Sequence, residues 1–113
     1  MAMTAFAAPL LPGTTDAWLA AVEEANGPRS EQRTEAHLEL GLTREIAHLQ
    51  RTPMGDVVVV YLEAEDTDTD LQRTIASEHP FNRWFTETVL VGCHGMSADQ
   101  LPPPNELFLD WSA

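Results

Sequence analysis

Hydrophobic and polar positions are patterned most clearly between Arg44 and Asp66, where two β-rich runs flank Thr52-Pro53-Met54-Gly55. This pattern predicts a β-hairpin. Pro53 suits the first central position of a type I turn, and Gly55 suits a left-handed residue closing a three-residue loop, which places Thr52 opposite Asp56. In that register Ile46, His48 and Gln50 share a face with Val58, Val60 and Leu62. The opposite face carries Ala47, Leu49, Val57, Val59 and Tyr61, with Glu45 across from Glu63. Val57 to Val60 is apolar toward both sides, as in strands buried on both faces.

Around the hairpin, the pattern predicts a first strand over Thr4–Leu11, turned by Pro12-Gly13. A helix follows. Thr14 or Thr15 caps it, Asp16 lies in its first turn, and Trp18, Val22 and Ala25 share one face until Asn26-Gly27-Pro28 stops it. Ser30 to Leu40 reads as a second, polar helix ended by Gly41, with Glu31, Arg33, Glu35, His37 and Glu39 as a solvated face. Asp66, Asp68 and Asp70 have the alternate spacing of a calcium loop, yet Leu71 and Ser77 stand where its glycine and bidentate glutamate belong. We expect a helix start there, with Thr67 and Asp70 as a capping pair. His79-Pro80 opens a further helix to about Val91, whose Phe81, Trp84, Phe85 and Val89 repeat at helical spacing as core or as the lining of a cavity. Pro102-Pro103-Pro104 leads into a last strand, Glu106 to Trp111.

The element order is strand, helix, strand, strand, helix, strand. It defines an α+β, ferredoxin-like β-α-β-β-α-β domain over residues 1–113, a four-stranded antiparallel sheet with helices on one face. One chain covers one face of Val57–Val60, so the other calls for the sheet of a second copy and a homodimer.

Composition narrows the chemistry. The 113 residues carry a formal charge of -12, with six arginines and no lysine. Such a field repels nucleic acid and anionic lipid, and no apolar run reaches the roughly 18 residues of a membrane span. With the uncharged start of the chain, this gives the expectation of a cytoplasmic protein. The absence of lysine removes Schiff-base and pyridoxal-phosphate chemistry. A single cysteine, Cys93, excludes an internal disulfide and multi-cysteine metal sites, and it reads as a buried bystander thiol. There is no phosphate loop, serine elbow or zinc helix, so no cofactor is expected.

The element order, with Ser77-Glu78-His79-Pro80-Phe81 followed by Trp84-Phe85, resembles the dimeric α/β-barrel proteins, among them the antibiotic-biosynthesis-type and haem-degrading monooxygenases and muconolactone isomerase. TPMGDVVVVYLEAED, PFNRWF and ELFLDW are also similar to a family of actinobacterial barrel proteins of unknown activity. The first resemblance implies a dimeric α/β barrel with a cofactor-free oxygenase, isomerase or cyclase activity on a small apolar substrate. A non-catalytic dimeric ligand-binding or assembly module is the alternative, and haem degradation a third.

Within that frame, four residues are candidates for proton transfer. His48 is either a solvated edge-strand histidine or a base in a pocket; Tyr61 and Glu63 form a possible proton-donating pair; His94, between two glycines, can reach a cavity from its loop. Trp18, Phe81, Trp84 and Phe85, with Gln50, are the expected substrate-binding residues.

Overall fold

A computed structural model of the chain describes residues 2–113. The chain runs β1 (Ala2–Pro9), α1 (Thr15–Asn26), α2 (Ser30–Glu39), β2 (Leu42–Thr52), β3 (Gly55–Ala64), α3 (Asp70–Ala76) and α4 (Pro80–Phe85), which continues as a π-helical stretch, Thr86–Val91. The strands form an antiparallel sheet in the order β1-β3-β2. This is a ferredoxin-like α+β layer pair with the helices on one face. The expected fourth strand is not formed: residues 101–113 have no regular structure, and Leu107, Phe108, Leu109 and Trp111 are exposed.

The hairpin forms, but in a tighter register than its sequence suggested. Thr52 lies opposite Gly55 and Arg51 opposite Asp56, so the loop is Pro53-Met54 alone. No residue other than glycine has positive φ among those described, while Gly55 has φ 128°. The Thr52 hydroxyl stabilises the short loop by accepting from Met54 N at 3.2 Å and donating to Gly55 O at 2.6 Å.

One residue of register turns the whole of one strand over relative to the other. His48 therefore lies opposite Val59, Gln50 opposite Val57 and Ile46 opposite Tyr61, all on the face away from the helices. Glu45, Ala47 and Leu49 lie opposite Leu62, Val60 and Val58 on the helix-facing side. Glu45 and Glu63 are thus not a cross-strand pair; Glu63 faces Arg44. A bulge at Thr43 lets Leu42 and Glu45, three positions apart, share the inner face.

Burial follows from this alternation. Val58 and Leu62 are buried, and Val58 packs with Leu10, Trp18, Ala21, Val89 and Cys93. The helices reach the sheet through small residues such as Ala21 and Ala36, which allow close approach. On the outer face Ala5 and Ala7 are exposed, and Val57, Val59 and Tyr61 are half-buried, with no described helix packed over them. The two-sided apolar character of β3 is therefore real, with one side unpartnered.

Candidate functional site

Between the inner sheet face and the helices lies a cavity of about 300 Å³. Its walls are mostly apolar, from Trp18 of α1, Val60 of β3, Phe81 and Phe85 of α4, and Leu90 and Met96 beyond. Phe81 stacks on Phe85 at 6.0 Å between ring centroids, an offset pair that fixes this wall. Polar groups reach it at a few points, chiefly His37, Glu45, Asp70, Asn82 and His94.

His94 is held by the loop that follows the π-helical stretch. That stretch closes with i→i+5 bonds, Gly92 N to Glu87 O at 3.1 Å and His94 N to Val89 O at 3.1 Å. The ring Nδ1 lies 2.9 Å from Pro9 O, and since a carbonyl only accepts, Nδ1 carries the proton. Neutral His94 then has its lone pair on Nε2. Burial lowers its pKa from the usual 6.5, outweighing the hydrogen bond to Pro9, so the neutral form is favoured.

His37 and Glu45 form a second polar point. His37 Nε2 lies 3.0 Å from Glu45 Oε1, and the imidazole stands edge-on to Phe81 at 5.9 Å. The expected solvated face of α2 is thus only partly solvated, because Arg33 and His37 turn into the cavity. Arg33 is bonded to Asn26 Oδ1 at its mouth.

Asp70 is the third. The expected capping pair is absent: Thr69 occupies the N-cap without a side-chain bond to the helix backbone, and the Asp66 carboxylate accepts from Asp68 N at 2.9 Å and from the Thr69 hydroxyl at 2.8 Å. Those bonds hold Asp66 below the ordinary carboxylate range. Asp70 is 7% exposed, and its buried Oδ1 has no partner. Burial raises its pKa from 3.8 against the attraction of Arg73.

The residues singled out from sequence divide by face. Trp18, Phe81, Phe85 and His94 line the cavity. Trp84 packs from behind and carries the Arg29 guanidinium 4.3 Å over its ring. His48, Gln50, Tyr61 and Glu63 lie together on the outer face, remote from the cavity because the tighter turn reversed β2. Tyr61 donates to Glu63 Oε2 at 2.6 Å, and that bond raises the phenol's pKa. His37, Glu45 and Asp70 were not expected here. His79 Nδ1 accepts from Phe81 N at 3.1 Å, and Ser77 Oγ accepts from Asn82 Nδ2 at 3.0 Å, so the Ser77-His79 pair caps α4. Cys93 is buried, which pushes its thiol up and leaves it a poor nucleophile. No cluster of three or more metal-ligating side chains occurs among the described residues, nor does a helix long and apolar enough to cross a membrane.

The fold and its cavity define a ferredoxin-like α+β protein with a chamber between sheet and helices. Among solved structures, tetracenomycin F2 cyclase from Streptomyces glaucescens, a type-II polyketide cyclase, matches with a TM-score of 0.59 and 23% identity, over 100% of this chain and 99% of that one. The likeness establishes the fold. No protein-family model and no curated protein matches the chain.

Proposed function

We propose that this protein is a small-molecule enzyme working without a bound organic cofactor, of the isomerase or cyclase type, on a largely apolar ring compound. The observation that carries this is a histidine, His94, whose Nδ1 is held on Pro9 O at the wall of a 300 Å³ apolar cavity. An engineered cavity of about 150 Å³ takes one benzene, so twice that volume suits roughly two fused rings. In such a chamber His94 Nε2 takes a proton from the carbon beside a carbonyl, and the aromatic walls hold the ring and exclude water. The cyclase likeness agrees with proton-transfer chemistry of this kind.

The reading includes a homodimer. The uncovered outer face, with Val57 and Val59 at its centre and His48, Gln50, Tyr61 and Glu63 around them, is assigned to assembly. Those four polar residues, expected from sequence as site residues, then have no part in the chemistry.

The test is proton exchange. In D2O, the protein is expected to accelerate α-deuteration of the bicyclic ketone 2-tetralone, followed by NMR. His94→Ala should slow this by about 10² or more, whereas His48→Ala should leave it unchanged. Binding of the ketone without any acceleration would favour a non-catalytic ligand-binding module.

A further inference from the structure

Asp70 lies in the first turn of α3, where a carboxylate suits the helix dipole without needing burial. The Asp66 carboxylate closes the turn before the helix by accepting from Asp68 N and the Thr69 hydroxyl, and Arg73 is occupied elsewhere. The Arg73 guanidinium donates to Leu40 O at 2.9 Å, Asp66 O at 3.0 Å and the Thr69 hydroxyl at 3.2 Å. No hydrogen bond reaches Asp70 Oδ1, although the side chain lies on the cavity wall at 7% exposure. A buried polar atom without a partner is rare and costly, and a buried ionised carboxylate more so.

We propose that Asp70 is the polar anchor of the cavity, hydrogen-bonding a carbonyl or phenol oxygen of a bicyclic apolar substrate. The proposal rests on the cavity being a ligand site and adds what the ligand must carry. The groups facing Asp70 are Arg73 on its own helix, Glu45 of β2, His37 of α2 and Asp66 of the preceding loop. Glu45 and Asp66 oppose ionisation, Arg73 and His37 favour it, and burial outweighs both cations. When protonated, the carboxyl has an O–H to give, and no partner bonds its Oδ1 among the described residues. An oxygen on the ligand supplies that acceptor, and it draws electron density from the carbonyl carbon as it does so. Proton removal beside that carbonyl then becomes easier, which joins Asp70 to His94 in one site.

The experiment compares two probes of one skeleton, tetralin and 2-tetralone, by quenching of tryptophan fluorescence at pH 5 and pH 8. Satisfying a buried donor predicts that 2-tetralone binds about tenfold tighter than tetralin at pH 5. The preference should weaken as pH rises through the raised pKa of the carboxyl. Asp70→Leu should abolish the preference and keep tetralin binding, which also shows that the variant folds. Asp70→Asn retains an N–H donor and should keep part of the preference while losing its pH dependence. Equal binding of both probes by the wild type, or an undiminished preference in Asp70→Leu, overturns the anchor and leaves the cavity reading standing. Failure of tetralin itself to bind overturns both.

Discussion

Asp70 and His94 are displaced in opposite senses by one cause. Burial penalises whichever form is charged, so it favours the acid form of Asp70 and the neutral form of His94. For Asp70 the folded-state pKa is raised, so its stabilisation is complete below 3.8 and is lost as pH rises through the raised value. Asp70→Asn is therefore expected to raise the melting temperature by a few degrees at pH 7 and to change it little at pH 3.5. The lowered pKa of His94 works the other way: its contribution is present above 6.5 and is lost as pH falls through the lower folded value. Deuterium exchange should therefore decline on the acid side as His94 gains a proton, at a pH below the usual 6.5 of a histidine. Gly92 is decisive for a steric reason. A Cβ there would stand 2.5 Å from Thr88 O, so Gly92→Ala should cost about 1–3 kcal/mol in chemical denaturation, by forcing apart the turn that carries His94.

At the scale of elements, β3 separates two roles by alternation. Val58 is 2% exposed within the core, and Val58→Ala should cost about 2–3 kcal/mol in denaturant unfolding. Val59→Ala on the outer face should cost well under 1 kcal/mol to the monomer. The order of the first three strands and of the helices between and after them, with the β2–β3 hairpin, was legible from periodicity, because apolar spacing reports burial directly. The register was not. Pro53 and Gly55 fit both a two- and a three-residue loop, and the choice decides which face receives His48. The bulge at Thr43 hid Glu45 in the same way, since counting by twos from Leu42 never reaches it. Asp70 was obscured by chemistry: it suits the capping pair expected with Thr67, and only geometry shows that it lies inside the first turn and is buried there. His37 sits in a polar helix whose sequence carries no mark of the cavity beside it. The strand expected at Glu106–Trp111 has the right composition but pairs with neither open edge of the sheet, β1 or β2. Instead, the Asn105 side chain bonds Thr4 and Ala5 of β1 before the segment leaves the surface.

For the whole molecule, the outer sheet face and a charge of -12 act in opposition. Burial of Ala5, Ala7, Val57 and Val59 against a second copy favours association, and the like charge of two subunits resists it. Multi-angle light scattering at micromolar concentration is expected to return a dimer that tightens between about 0.05 and 0.5 M salt as the repulsion is screened. Val59→Glu, placing a charge at the centre of that face, should give a monomer whose tetralin binding is unchanged. A monomeric wild type would remove the assembly role from this face.

The division of the sheet has a bearing on how such a protein diverges. Neighbours along β2 and β3 point to opposite sides, so Ala47 touches the chamber while His48 lies on the outer face proposed for assembly, and Val60 and Val59 divide likewise. A substitution at one position of each pair reshapes what the chamber accepts; at the other, it alters whom the chain pairs with. The two properties can drift independently under selection although they are written in adjacent codons.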